Sequence, residues 1–288
     1  MLKVGFIGAG TVGTALASRL SASGYAVAAV ASRTFASAER LSRAVAGCQP
    51  MDNLQAVADA ADLVFITTPD GAIGTVAAQL KWHAGQCVVH CSGADSTEVL
   101  SPVRLHGAQA GAFHPLQTFA SIKQAIDNLP GSTFAVEAEE PLRSALKKMA
   151  EDLGGYWIEL KAGDKVLYHA SAVIACNYFV TLIKLSTDLW RTFGVSRDDA
   201  VRALMPLLRG TLNNIEKVGI PNCLTGPIAR GDAGTVGKHL TALDRSAPPV
   251  AKIYRELGLE TVPISVDKGR IDDNSAREIR ELLGEAAS

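Results

Sequence analysis

Leu2-Lys3-Val4-Gly5-Phe6-Ile7-Gly8-Ala9-Gly10-Thr11-Val12-Gly13 decides how this 288-residue chain is read. An unbroken apolar run leads into a turn with glycines at its first, third and sixth positions. Residues 14–23 then carry apolar side chains at helical spacing, up to Gly24. Gly8 permits the tight turn, Gly10 lets a ligand approach the backbone, and Gly13 lets the helix lie close on the strand. The helix start offers free N–H groups and the positive end of its dipole to a phosphate. Gly8, Ala9, Gly10, Thr11, Val12 and Gly13 are therefore candidate contacts for a dinucleotide.

Outward from this turn the pattern repeats. Apolar runs at 27–31 and 63–67 predict strands, and 36–46 predicts a helix between them, with a short segment at 54–58 leading into the second run. A further helix is expected near 71–80 and strands near 86–91, 108–113, 132–136 and 156–160. Strands that are apolar throughout, rather than alternating, indicate a parallel sheet covered by helices on both faces. The fold class is α/β, with an N-terminal Rossmann dinucleotide-binding domain. After Leu160 the spacing becomes helical, so the boundary is expected near 161–165, with domains at 1–162 and 163–288. Residues 164–193 contain no Pro or Gly and predict one helix of about 45 Å. Others are expected at 196–217, 233–244, 247–257 and 272–284, with a loop at 222–232.

An NAD site ordinarily carries an acidic residue about 20 positions beyond the last glycine, to hold the ribose hydroxyls. Here the chain reads Ser32-Arg33-Thr34. A guanidinium suits a 2′-phosphate, so NADP is favoured, with NAD possible. Thr67, Thr68 and Pro69, with Asp70 behind them, follow a strand and should supply a third contact, since ligands of open α/β sheets sit beyond the strands' carboxyl ends.

The 28 Lys and Arg nearly balance the 29 Asp and Glu, which leaves no broad basic field for nucleic acid or an anionic membrane. Five cysteines at 48, 87, 91, 176 and 223 make no disulfide framework, so a cytoplasmic setting is expected. Cys87-Val88-Val89-His90-Cys91 lies in an apolar strand run with no second ligand pair, and no metal is expected there. The chain opens directly on a strand, without the flanks of a signal peptide or span.

With these elements in place the chain resembles the superfamily of two-domain dehydrogenases that join a Rossmann domain to a helical domain. That group includes the 6-phosphogluconate, prephenate and pyrroline-carboxylate enzymes. Three stretches carry a closer resemblance: Gly111-Ala112-Phe113-His114-Pro115-Leu116-Gln117-Thr118-Phe119, Tyr168-His169-Ala170 and Thr225-Gly226-Pro227-Ile228-Ala229-Arg230-Gly231-Asp232. They are similar to a branch that pairs a Rossmann-like domain with a C-terminal domain of unknown function. The resemblance covers essentially the whole chain. It implies a helical domain like the C-terminal domain of 6-phosphogluconate dehydrogenase, a nicotinamide cofactor and a homodimer built partly by the long helix. Against prephenate dehydrogenases, Ser92 and His114 match two residues that lie beside the nicotinamide. The stretch after His-Pro departs from that family, which argues against prephenate itself.

Hydride transfer to or from a carbon bearing oxygen or nitrogen needs a group that moves a proton. His114 is the first candidate, because imidazole titrates near neutrality and the residue should sit at a strand's carboxyl end. His169 and Asn177 stand eight residues apart, some 80° around one helix, and can border one cleft. Lys165 shares the face of His169 but reads as a solvated lysine. In the 225–232 loop, Thr225, Arg230 and Asp232 offer a donor, a cation and a carboxylate, and Arg230 suits a substrate carboxylate. These features predict an NADP-dependent oxidoreductase acting on a small, acidic metabolite bound between the domains. The rivals are an NADP-binding sensor or scaffold without turnover, a prephenate-dehydrogenase-like enzyme and a deazaflavin-linked reductase.

Overall fold

The structure is a computed structural model that describes residues 2–284. The chain divides into two compact units, Met1–Asn177 and Tyr178–Ser288. The first unit holds eight strands: β1 (Lys3–Ile7), β2 (Ala26–Ala31), β3 (Gln49–Pro50), β4 (Leu63–Ile66), β5 (Cys87–His90), β6 (Gln109–Leu116), β7 (Thr133–Ala138) and β8 (Tyr156–Glu159). Its helices are α1 (Thr11–Ala22), α2 (Phe35–Ala44), α3 (Leu54–Ala60), α4 (Asp70–Gln79), α5 (Ser101–Arg104), α6 (Ile122–Asn128), α7 (Leu142–Asp152) and α8 (Asp164–Ala172).

The strands form one sheet in the order β3-β2-β1-β4-β5-β6-β7-β8. The order reverses between β1 and β4, which opens the crevice where doubly wound sheets hold their ligands. The sheet is not parallel throughout, as the apolar runs suggested, because β7 runs antiparallel to β6. The connection between them carries only the seven-residue α6, and antiparallel neighbours need no crossover helix to bring the chain back to the starting edge. Helix α7, not anticipated from the sequence, buries Leu142, Leu146, Met149 and Ala150.

One face of the sheet carries a run of phenylalanines, Phe6, Phe65, Phe113 and Phe134, with successive ring centroids 5.2, 6.0 and 4.5 Å apart. The opposite face is lined by Ile7, Val64, Ile66 and Val88 under α3, α4 and α5. The strand register aligns Ala31, Ile7, Ile66, His90, Ala112 and Glu137 in one row across that face. The row is apolar over β2, β1 and β4 and becomes polar at β5 and β7. His114, two residues beyond Ala112 on β6, projects from the same face.

The long helix starts at Asp164 as expected and runs to Arg191. It contains a π-turn at Val173–Asn177, between α8 and α9 (Tyr178–Arg191). The unit boundary falls at this turn rather than at 162, because Lys165 is buried in the first unit and ties α8 to it. The helix is long and apolar enough to cross a membrane by length and composition. The second unit adds α10 (Arg197–Val218), α11 (Ala233–Ser246), α12 (Pro248–Asp267) and α13 (Asp273–Leu283). Its core is Val236, Leu240, Val262, Ala276, Ile279 and Leu283. Helix α12 continues ten residues beyond its expected end and passes through Pro263.

Candidate active site

Two cavities of the first unit hold candidate site residues. The first, of about 650 Å³, opens at the sheet's switch point. Among its walls are Gly8, Ala9, Gly10, Ser32, Arg33, Thr34, Thr67, Thr68 and Pro69, which the sequence named as candidate cofactor contacts. Helix α1 begins at Thr11, three residues earlier than expected, with the extended Gly10 immediately before it. Gly8 holds φ +115°, and a Cβ there would lie 2.6 Å from the Thr67 carbonyl oxygen. A Cβ at Gly13 would strike the Gly8 carbonyl and the Thr67 hydroxyl, whereas one at Gly10 would meet nothing within 4 Å. Gly10 is thus the glycine that leaves the loop open to a ligand, and Gly13 is a packing residue. Thr11, Val12 and Gly13 do not line the cavity. Val12 packs against the core under the other sheet face.

The Thr67 hydroxyl donates 2.8 Å to the Gly8 carbonyl and so braces the loop. Thr68 keeps a buried hydroxyl with no protein partner, facing the same cavity. Arg33 is exposed at the wall and makes no hydrogen bond or ion pair among the described residues. Beside it α2 begins, and its N-cap Thr34 leaves the first-turn N–H groups without a side-chain cap. A cation next to uncapped helical N–H groups is the donor set a 2′-phosphate requires. The residues present therefore fit NADP. Ser37, Asp52 and Asn53 also line this cavity. Sequence reasoning missed them, because β3 is too short to announce that its end turns toward the crevice.

The second cavity, of about 630 Å³, is bounded by His114, Leu116, Phe119, Tyr168, His169 and Asn177, among others. The Tyr168 hydroxyl and His114 Nδ1 share a 2.8 Å hydrogen bond. The His114 and His169 rings meet edge to face at 6.1 Å. His169 Nδ1 is buried without a protein partner. His169 and Asn177 share the cavity because the π-turn inserts one residue into the helix. That subtracts about 100° from their 800° separation and leaves them about 20° apart rather than 80°. Single π-turns of this kind recur at functional sites.

Gly93, in the loop after β5, brings the groups together. A Cβ there would lie 2.6 Å from His169 Nδ1 and 2.8 Å from His114 Nε2, so any side chain would force the histidines apart. Ser92 precedes it and is 3% exposed. Its hydroxyl donates 2.9 Å to Asp70 Oδ2 and accepts from the backbone N–H groups of Ala94 and Asp95. With its hydrogen bonds spent on the loop, Ser92 shapes the site rather than offering a free hydroxyl. Asp70 follows directly on Pro69 of the cofactor cavity, so this bond links the two cavities through the chain.

Lys165 is the main residue that the sequence misplaced. Instead of being solvated it is 1% exposed, and its ammonium donates 2.6 Å to the Ser92 carbonyl. A four-residue spacing puts it on the face of His169, but nothing in that spacing says the face is turned inward. Burial lowers its pKa to about 8, opposed chiefly by the negative charge of Glu137 and less by Asp95 and Asp70. Burial, with Lys165 and then His169 nearby, lowers His114 to about 4. His114 is therefore neutral at neutral pH and does not titrate there, contrary to the expectation that named it. Burial also raises the Tyr168 phenol to about 12, so it stays protonated.

In the second unit, Asp232 caps α11, accepting from the Thr235 N–H at 2.9 Å and its hydroxyl at 2.7 Å. Its carboxylate is thereby committed to the helix. Thr225 and Arg230 are exposed, and Arg230 has no bonded partner among the described residues. Among the described residues no group of three or more His, Cys, Asp or Glu could hold a metal ion.

The chain is similar over its length to several solved structures. A Thermotoga maritima protein is 25% identical with a TM-score of 0.76, covering 93% of this chain and 100% of its own. A Bacteroides fragilis protein, provisionally described as an NADP oxidoreductase, is 24% identical with a TM-score of 0.70, covering 91% and 98%. A reductive aminase from Aspergillus terreus, in complex with NADPH and ethyl levulinate, is 18% identical with a TM-score of 0.66, covering 98% and 99%. No curated protein matches the chain in sequence. A family model for a Rossmann-like domain matches residues 1–115, and one for a domain of unknown function, DUF2520, matches residues 132–261. Between them they cover most of the sheet, the first cavity and much of the helical unit, with residues 116–131 outside both, and each half of the chain is similar to the family that its model describes.

Proposed function

We propose that the protein is an NADP-dependent oxidoreductase that reduces a C=O or C=N bond of a small metabolite, with His114, Tyr168 and Lys165 serving the proton side of the reaction. One observation carries this reading: a buried ammonium on the Ser92 carbonyl, one residue from Gly93, on which both cavity histidines converge. Bound NADPH supplies a hydride to the carbon. The bond's electron pair then needs a proton on oxygen or nitrogen, which we assign to Lys165, with His114 and Tyr168 hydrogen-bonding beside it. His114, held neutral, donates a hydrogen bond rather than a proton. Lys165, lowered to about 8, is the group of the three that titrates nearest neutrality. Its positive charge also offsets negative charge developing beside it.

In the second unit Arg230, which makes no ion pair among the described residues, is a candidate to hold a carboxylate. Val166, Leu167, Ile174, Tyr178 and Val180 are 58–77% exposed along the long helix. We read this apolar surface as a homodimer interface rather than a lipid-facing one, because Lys184 and Asp188 form a 2.7 Å ion pair further along the same helix. Five free cysteines suit a reducing, cytoplasmic setting.

The test is NADPH consumption against a panel of small keto acids, neutral ketones and cyclic imines, each with and without an added amine. Turnover with some member, lost in Lys165→Met with NADPH binding retained, is expected. NADPH binding without turnover across the panel would favour the sensor or scaffold reading.

A further inference from the structure

Behind the candidate active site, the row His90, Ala112, Glu137 crosses three adjacent strands and faces one side of the sheet. Directly paired positions put His90 and Glu137 about 10 Å apart at Cα, with only a methyl group between them. His90 is 0% exposed and Glu137 7%. His90 Nδ1 accepts from the Ser92 N–H at 3.2 Å, which leaves the ring proton on Nε2. That nitrogen has no partner at full hydrogen-bond geometry, and its one weak backbone contact, with Ser96, raises the imidazole's pKa only against a larger burial effect. Glu137 Oε1 accepts from the Thr97 N–H and hydroxyl at 3.1 and 2.8 Å, whereas its Oε2 has no partner. Lys165 has three donors and uses one of them on the Ser92 carbonyl.

A donor on His90, an acceptor on Glu137 and spare donors on Lys165 are thus buried around one small side chain. Leaving such buried groups unmet is unfavourable. One water molecule can meet all three, accepting from His90 and Lys165 and donating to Glu137. We propose that Glu137 and His90 are positioning residues for Lys165, and that with it they enclose an internal water over Ala112 that holds the ammonium on the Ser92 carbonyl. Four elements carry groups that act on this ammonium: β7 with Glu137, β5 and its loop with His90, Cys91 and Asp95, α4 with Asp70, and β6 with His114. Glu137 is the largest of the influences that keep Lys165 charged against burial.

The inference depends on the active-site reading only for its purpose, and its test requires no turnover. In protein carrying 13C-labelled lysine, the Lys165 Cε resonance, assigned by its absence in Lys165→Met, should titrate near pH 8. Glu137→Gln should lower that midpoint by about one unit or more, and Glu137→Asp should restore most of it. A midpoint unmoved in folded Glu137→Gln overturns the proposal. For the unaltered protein, a high-resolution crystal structure should show one ordered water bonded to Lys165 Nζ, His90 Nε2 and Glu137 Oε2. A dry gap, or a direct Lys165–Glu137 ion pair, overturns it as well.

Discussion

The two cavities of the first unit were built by different kinds of sequence signal. The cofactor cavity is built largely from a glycine-spaced turn, two helix starts and the ends of two strands next to the motifs that announce them, with Ser37, Asp52 and Asn53 the walls that no motif announced. The second cavity is made by side chains from β6 and the stretch after it, β8, α8 and the π-turn, joined only by tertiary packing. Local chemistry therefore wrote the first into the sequence. The second depends on which helix face turns inward, and a four-residue spacing cannot settle that.

The largest effect should come from the side-chain cavity. Lys165→Met is expected to lower turnover by about 10²–10⁴-fold while leaving NADPH affinity within a few-fold. If affinity fell as far as turnover, the two cavities would not be separable and the contrast would fail. Gly93→Ala should come next, because its methyl group would collide with both histidines. Turnover should drop by about tenfold or more with little change in cofactor affinity, checked by steady-state kinetics beside calorimetry.

In the backbone-built cavity, Arg33→Ala should weaken NADPH by about 10–100-fold and spare NADH, since one charge-assisted contact contributes about 1.5–3 kcal/mol. The smallest effect concerns stability against pH. His114 and His90 have folded pKa values lowered by burial to about 4 and about 3. Both are neutral in the folded and unfolded chain above about pH 6.5. On acidification through that value the unfolded state gains protons that the folded state refuses, so stability falls from about 6.5 toward 3–4 and then levels off. Denaturant midpoints across that range should show the decline, and His90→Gln should flatten it where the variant folds.

Much of the fold was legible. The β1 turn, the strand succession and the helical second half stand close to where periodicity put them, because buried strands and amphipathic helices impose those patterns locally. What was not legible has physical causes. The reversal of β7 depends on a short connection rather than on strand composition. The π-turn at Val173–Asn177 leaves no mark in residue type, yet it decides that His169 and Asn177 share a wall. His114 was chosen for an ordinary imidazole pKa that burial and a neighbouring ammonium remove, and that ammonium belongs to the lysine the sequence assigned to solvent. In the helical unit, Asp232 looked like a ligand group and is a helix cap, a role that its place just before α11 already indicated.

Calorimetric titration of the purified protein with NADPH and NADH, repeated on Arg33→Ala, tests the central claim most directly. The account predicts micromolar NADPH binding, markedly weaker NADH binding, and a variant in which the two converge. Absence of binding by either cofactor to the unaltered protein would contradict it, leaving the glycine turn as packing and the buried lysine without a hydride to accompany.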